Sequence, residues 1–152
     1  MSVTRAYLSP RLFRIWDSRR TGLSQVDIAN KLGISRQAVN QALQEATAKV
    51  TTALTETSKI NKIEVESIDS VSGLLTGWSR EFAVKAVISI TKHDGLQVWY
   101  EHVADCAHCT SYYACRAYLM ESAKERGLKM SKEQKKMMPS KLAQFLFGMR
   151  EA

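Results

Sequence analysis

The stretch LSQVDIANKLGISRQAVNQAL, residues 23–43, decides how the N-terminal part of the chain folds. Ser24 is a typical N-cap ahead of a short helix with one apolar face. Gly33 permits the left-handed backbone conformation that ends such a helix, and Ser35 is well placed to cap the next one. The stretch therefore predicts two helices joined by a tight turn.

Two helices arranged in this way form a helix-turn-helix, in which a small residue such as Ala29 is needed where the helices approach. The apolar residues expected to hold the pair together are Ile28, Leu32, Ile34, Val39 and Leu43. By this match, about residues 8–57 resemble the helix-turn-helix of prokaryotic transcription regulators, especially the small archaeal Tfx-type and LuxR-like proteins. The resemblance implies sequence-specific binding to double-stranded DNA.

The same resemblance implies which side chains meet the DNA, since the second helix of the motif enters the major groove. The residues expected to face bases and phosphates from that helix are Ser35, Arg36, Gln37, Asn40, Gln41 and Gln44. Amide side chains at positions 37 and 40 suit adenine edges, and the guanidinium at position 36 suits guanine or phosphate. The alternative is a helical hairpin that never contacts DNA.

Further contacts are expected at the edge of the motif. Ser24 and Gln25 begin the preceding helix and are placed to meet the DNA backbone, and peripheral positive charge is expected from Arg19, Arg20 and Lys49.

Charge is concentrated where this motif lies. The 152 residues carry 22 Lys and Arg against 15 Asp and Glu, a formal charge of +7 that favours polyanionic partners. Residues 1–60 hold nine basic and four acidic residues, a net charge of +5, whereas residues 61–152 hold thirteen and eleven, a net charge of +2. We therefore expect a DNA-binding domain over residues 1–60 and a second domain over residues 61–152.

Helical periodicity extends on both sides of the quoted stretch. Ser9-Pro10 predicts the start of a first helix that ends near Arg20, and nothing between Arg36 and Ser58 breaks a long third helix. Its heptad stripe is Val39, Leu43, Ala46, Val50, Ala53 and Thr57. This stripe predicts either the seam of a homodimer or a helix packed on the rest of its own chain.

From residue 61 the apolar pattern has a period of two, which is typical of strands. The strand positions are Ile63 and Val65, then Phe82, Val84, Ala86, Ile88 and Ile90, then Leu96, Val98 and Tyr100. Asp94-Gly95 predicts a hairpin turn, and another strand is expected around Gly73 to Gly77. Helices are expected over Arg116 to Arg126 and Lys141 to Gly148, with a basic linker between them. The predicted fold class is α+β: an N-terminal helix-turn-helix with a long third helix, a small antiparallel sheet and a cysteine-rich helical tail.

All three cysteines lie within ten residues, in the pattern H-x3-C-x2-C-x5-C. Cys106 and Cys109 have the spacing that puts two sulfurs on one ion, and Cys115 begins the predicted helix, where a thiolate gains from the positive helix end. His102 is the expected fourth ligand. His108 and His93 are weaker choices.

The spacing leaves the metal open. C-x2-C-x5-C is similar to the cysteine spacing of several iron–sulfur families, including helix-hairpin-helix DNA glycosylases and redox-responsive bacterial regulators, which implies a [4Fe–4S] cluster. A fourth cysteine is absent from the chain, so a histidine, Asp105 or an outside ligand must complete the set, or the cluster is [3Fe–4S]. Zinc held by three thiolates and one imidazole is the alternative, and an unmetallated thiol cluster is the third possibility.

These observations predict a cytoplasmic DNA-binding regulator of transcription whose iron–sulfur cluster senses redox state or oxygen. Its expected partners are double-stranded DNA, a second copy of the chain and the transcription machinery, and not a membrane. The thiols lack an accompanying acid, base and oxyanion set, so no enzyme is expected. The rival hypotheses are a DNA-binding protein with a structural zinc site and a metal-stapled adaptor that binds another protein.

Overall fold

The computed structural model describes residues 8–92, 95–102 and 105–148. In this part of the chain the helices are α1 (Pro10–Arg20), α2 (Gln25–Leu32), α3 (Arg36–Ile60), α4 (Tyr112–Glu125), α5 (Lys132–Lys135) and α6 (Pro139–Phe147), and a 3-10 turn covers Cys106–His108. The strands are β1 (Ile63–Asp69), β2 (Leu74–Ser79), β3 (Val84–Thr91) and β4 (Gly95–Tyr100). They form one antiparallel sheet in the order β1-β2-β3-β4, so the predicted α+β class is confirmed.

Serine caps set the starts of the first three helices, as the sequence predicts. The hydroxyls of Ser9, Ser24 and Ser35 accept hydrogen bonds from the amides of residues 12, 27 and 38. Each bond satisfies one of the amides that a helix start leaves without a backbone partner. Pro10 adds a pre-set φ at the first position of α1.

The sheet lies between two groups of helices, because its residues alternate between two hydrophobic clusters. Ala86, Ile88 and Ile90 of β3 pack in one cluster with α1, α2 and α3. Val87 of β3 packs in the other with Trp99, α4 and α6. The predicted boundary at residue 60 coincides with the end of α3, but the first core crosses it and joins the helices to the sheet.

The heptad stripe of α3 is buried within the chain itself. Val39, Ala46 and Val50 are at most 1% exposed, and they belong to the cluster that α3 shares with α1 and the sheet. Of the two alternatives for this stripe, the structure therefore shows packing on the rest of the chain. A homodimer has to use another surface.

Trp16 fixes α1 against the turn between β1 and β2. Its indole Nε1 donates a hydrogen bond of 2.9 Å to the carbonyl oxygen of Ser70. Gly73 lies beneath the ring with φ +73°, and a Cβ there would come within 2.8 Å of the indole. Glycine is therefore required at this turn for two reasons, its positive φ and its closeness to the ring.

Arg20 is buried, which corrects its expected role as a peripheral charge for DNA. Its side chain is 0% exposed, with the guanidinium carbon 4.4 Å from the centre of the Trp16 ring. One Nη donates to the carbonyl oxygen of Ile90 at 2.5 Å, and the other contacts the carboxylates of Asp17 at 2.5 Å and Glu125 at 3.1 Å. The last residue of α1 is thereby bonded to the third strand and to the end of α4.

One strand prediction fails in the turn between β2 and β3. Phe82 lies in this turn and is 57% exposed, because the Ser79 hydroxyl accepts a hydrogen bond from the amide of Phe82 and Ala83 takes a positive φ of 54°. Val65 lies in β1 as predicted, but it is 44% exposed whereas Ile63 is buried, since β1 is an edge strand of the sheet. The pairing of β3 with β4 confirms the hairpin, although Asp94 of its turn lies outside the described residues.

The C-terminal helices begin earlier than predicted. Helix α4 starts at Tyr112 instead of Arg116, and α6 starts at Pro139 instead of Lys141. The expected linker contains α5, because Ser131 and Gln134 form a reciprocal capping box. Arg116 donates to the carbonyl oxygens of Lys135 and Met137, which attaches this segment to α4.

We expect Arg20→Met to lower the free energy of unfolding by about 3 to 5 kcal/mol, since it leaves two partly buried carboxylates without their cation. The matched control is Arg14→Met on the exposed side of α1, for which a change of about 0.5 kcal/mol or less is expected. Urea unfolding followed by far-UV circular dichroism measures both. Equal stability of the two variants would show that Arg20 is not a structural cation.

Candidate nucleic-acid interface and cysteine site

The turn between α2 and α3 has the backbone that the sequence predicts. Gly33 adopts the left-handed conformation, with φ 64° and ψ 34°, and the amide of Ile34 donates to the carbonyl oxygen of Ala29 at 3.1 Å. Ser35 then caps α3 through a hydrogen bond of 3.1 Å from the amide of Ala38. The two helices are thus separated by three residues in a defined conformation.

Apolar contacts hold the helix pair together. Ile28 and Val39 are fully buried, and Ala29 and Leu43 are at most 8% exposed. The half-buried side chains that pack against the same cluster are Leu32 and Ile34, together with Leu23. Every residue predicted to hold the pair together is therefore in the core or packed against it.

The predicted base-facing residues share the outer surface of α3. All of them are exposed: Ser35, Arg36, Gln37, Asn40, Gln41 and Gln44. Their spacing by three and four residues places the side chains of residues 37, 40, 41 and 44 on one stripe of the helix. None of these side chains is used in a hydrogen bond to another part of the chain that the structure describes, apart from the Ser35 cap.

A concave surface lies beside this stripe. It has a volume of about 510 Å³, and its polar lining comes from Arg19 at the end of α1, Gln25 at the start of α2, and Asn40, Gln44 and Thr47 on α3. Four of these five were expected at the DNA surface. Ser24 is exposed next to it, and its hydroxyl accepts the amide of Asp27, which leaves the hydroxyl proton available to a phosphate.

Lys49 is less available than expected. Its ammonium lies 3.1 Å from the carboxylate of Glu45 one turn earlier on α3, and both side chains are about half-exposed. An exposed pair of this kind contributes little to stability, so a phosphate can compete for the lysine.

The three cysteines lie at the start of the C-terminal helical part. Cys106 opens the 3-10 turn and is 3% exposed, Cys109 follows that turn and is exposed, and Cys115 is half-buried in the first turn of α4. Each is a free thiol. Burial raises the pKa of the Cys115 thiol, and the nearby thiols of Cys109 and Cys106 raise that pKa further. Cys115 is therefore within electrostatic range of the other two thiols.

Two helix starts near these sulfurs have no side-chain cap. Neither Ser111 before α4 nor Met138 before α6 caps its helix through a side chain, whereas Ser9, Ser24 and Ser35 all do so. Cys115 lies on α4, and the Cys106 thiol donates to the hydroxyl of Ser140 on α6 at 3.4 Å. A helix start in general favours nearby negative charge, but at Cys115 burial outweighs any such effect, since the pKa of that thiol is raised.

The predicted histidine ligands make other contacts in the described residues. His102 is exposed, its Nδ1 lies 2.8 Å from the carbonyl oxygen of Tyr100, and its ring centre is 5.5 Å from that of Trp99. His108 Nδ1 lies 2.6 Å from the carboxylate of Asp105. His93 lies outside the described residues.

The donor set suits a soft metal only in part. Three thiols in one electrostatic neighbourhood are ligands that iron–sulfur clusters and zinc both prefer. Within the described residues, however, no three histidine, cysteine, aspartate or glutamate side chains come together as the ligands of one ion. Binding a metal would therefore require the thiols and a fourth ligand to move closer together.

Aromatic side chains close the inner side of the cysteine site. Trp99 stacks on Tyr118 with ring centres 6.1 Å apart, and the Tyr118 hydroxyl shares a short hydrogen bond with buried Ser89. Both rings belong to the second core, which is their ordinary role, whereas Tyr113 is 83% exposed. Sequence reasoning missed the contacts of Ser140 and Arg116, because they join residues at least nineteen positions apart, which no local pattern reveals.

A comparison with protein-family models gives no match, and no curated protein or solved structure matches the chain significantly. Among the described residues, no helix is both long enough and apolar enough to cross a membrane.

Exposure and pKa predict an order of reactivity for the metal-free thiols. We expect iodoacetamide to label Cys109 first, because it is exposed, Cys115 more slowly, because its raised pKa leaves less thiolate, and Cys106 last, because it is buried. Peptide mass spectrometry of timed samples measures the three rates. Labelling of all three at one rate would contradict the distinct environments described above.

Proposed function

We propose that the protein is a sequence-specific DNA-binding regulator of transcription that places the N-terminal half of α3 in the major groove. The observation that carries this proposal is the stripe of exposed polar side chains that begins at Ser35. A capped helix start, a left-handed glycine turn and a packed supporting helix hold this stripe in place, as in a helix-turn-helix. The N-terminal charge of +5 supplies attraction to phosphates.

The proposed contacts follow from side-chain chemistry. Gln37 and Asn40 form paired hydrogen bonds with adenine, and Arg36 binds guanine or a phosphate. Ser24 and Gln25 contact the backbone, with Arg19 as a further cation. A homodimer would present two such helices to half-sites about 34 Å apart, or a multiple of that distance. The dimer and contact with the transcription machinery stay predictions.

The DNA-reading assignment is tested with Arg36→Ala, Gln37→Ala and Asn40→Ala. Base contacts determine which sequence is preferred, whereas phosphate contacts strengthen binding to any sequence. Gln37→Ala and Asn40→Ala should therefore each lose about 1 to 3 kcal/mol of discrimination between matched and mismatched duplexes. Arg36→Ala should weaken binding to both duplexes. Gel-shift titration against a site selected from random duplexes measures these effects.

Glu56→Gln is the matched control, since it lies on an exposed part of the same helix far from the turn. Unchanged affinity and selectivity in all three variants would remove α3 as the reading helix. Binding that depends only on salt and not on sequence would instead favour the adaptor hypothesis.

We propose further that Cys106, Cys109 and Cys115 hold an iron–sulfur cluster, with His102 completing the set. This second proposal is supported by the position of the three cysteines within ten residues and by the electrostatic effect of Cys109 and Cys106 on the Cys115 thiol. A cluster would supply one-electron redox chemistry at this position. Zinc in the same ligands is the alternative, and it would make the site structural.

Helix α4 offers a route from the cysteine site to the DNA-binding part. Cys115 lies in its first turn, and Glu125, its last residue, bonds to Arg20 of α1 and to the backbone amide of Lys92. We propose that α4 carries a change at the thiols to α1, which packs on α3, and a cluster held by those thiols would make that change dependent on redox state. The proposed signal is therefore redox state or oxygen.

Metal content decides between an iron–sulfur cluster and zinc at the cysteine site. Anaerobically purified protein should be brown and contain iron and sulfide in cluster proportion, whereas one zinc per chain in a colourless solution would establish the structural alternative. We expect Cys115→Ser and His102→Ala to lose the metal and His108→Ala, the matched control, to retain it. Visible absorption and elemental analysis measure all four proteins. Protein without either metal would contradict both forms of this proposal.

A further inference from the structure

Two exposed lysines lie beside the α1–α2 connection although they are a hundred residues away in sequence. Lys124 is in the last turn of α4, and Lys129 follows its end. Gly127 lies between them with φ +68°, and a Cβ placed there would be 3.5 Å from the carbonyl oxygen of Thr21. The end of α4 therefore abuts the backbone that leads into Ser24.

Hydrogen bonds also hold the end of α4 in place, in addition to the close approach of Gly127 to Thr21. Glu125 bonds to Arg20 at 3.1 Å, and the amide of Leu128 donates to the carbonyl oxygen of Ala123 at 2.9 Å. Arg126 also donates to the carbonyl oxygen of Leu146 at 3.1 Å. The backbone that carries the two lysines is therefore tied to both α1 and α6, so little backbone order has to be gained on binding.

This part of the chain carries an excess of positive charge. At the end of α4, residues 124–129 contain three Lys or Arg and one Glu, a net charge of +2. The carboxylate of Glu125 is turned inward to Arg20, so it does not neutralise the outer surface. Neither Lys124 nor Lys129 forms an ion pair with any residue that the structure describes.

We infer that Lys124 and Lys129 bind phosphates of the DNA that flanks the segment read by α3. The inference rests on the proposed function, in which Ser24 meets the DNA backbone three residues after Thr21. A duplex that touches Ser24 passes close to the surface that adjoins Thr21, which Gly127 approaches between the two exposed lysines. The C-terminal part thereby adds sequence-independent affinity to a site that α3 reads.

The salt dependence of DNA binding tests this inference. Each phosphate contact changes the slope of log Kobs against log[salt] by about 0.9. Lys124→Gln/Lys129→Gln should therefore reduce the slope by about 1.8 on a duplex that extends well beyond the site, while its preference for the matched sequence stays unchanged. On a duplex trimmed to the site, the variant and the wild type should bind alike.

Lys59→Gln/Lys62→Gln is the matched control, because it removes the same charge at the opposite end of α3, about 35 Å from the turn. This control should keep the wild-type slope, and Lys124→Arg/Lys129→Arg should restore it. An unchanged slope in the glutamine variant, or an equal loss in the control, overturns the inference while leaving the proposed function intact. A wild type that binds no duplex overturns both.

Discussion

The buried guanidinium of Arg20 joins three parts of the protein that the chain visits far apart. It contacts the carbonyl of Ile90 on β3 and the carboxylates of Asp17 and Glu125, and it lies over the ring of Trp16. A charge in such surroundings is tolerated only where partners replace its lost water, so the three elements must stay together while it remains ionised. The relative positions of α1, the sheet and α4 follow from this requirement.

Glu125 shows the energetic balance of this contact. Burial raises the pKa of Glu125, while the hydrogen bond from the Lys92 amide and the charge of Arg20 lower that pKa, and the net direction is upward. A carboxyl whose pKa is raised by folding contributes stability at low pH that is lost as the pH rises through the folded pKa. Ionising Glu125 is therefore harder in the folded protein than in the unfolded chain, although its carboxylate bonds to Arg20 and to the amide of Lys92.

The sequence predicted those features that depend on neighbours along the chain. The serine caps, Gly33 and the apolar faces of α1 to α3 act within one or two turns. The period of two in β3 and β4 arises because alternate side chains face the core that the sheet shares with α1 to α3. The outward stripe on α3 follows from the same geometry. These local signals agree with one another, which is the condition for reading a fold from a sequence.

Features that depend on distant parts of the chain were not predicted. The local sequence around Arg20 at the end of α1 fits a phosphate contact as well as a bond to Glu125, which is 105 positions away. The heptad stripe of α3 is equally suited to a partner helix and to the sheet. The cysteine spacing predicts three thiols near one another, but it does not predict that His102 bonds to the Tyr100 carbonyl.

Helix α4 connects the cysteine site to the part of the structure that holds the candidate DNA-binding surface. Its first turn carries Cys115, its last residue bonds to Arg20, and its middle packs through Leu119 against the outer face of the sheet whose inner face packs against α3. A displacement at the cysteine end would act on the sheet and on α1, because α4 packs against the one and bonds to the other, and both of these pack against α3. In the proposed function, a change at the thiols would therefore reach the candidate DNA-reading helix through contacts that the fold already needs for its stability.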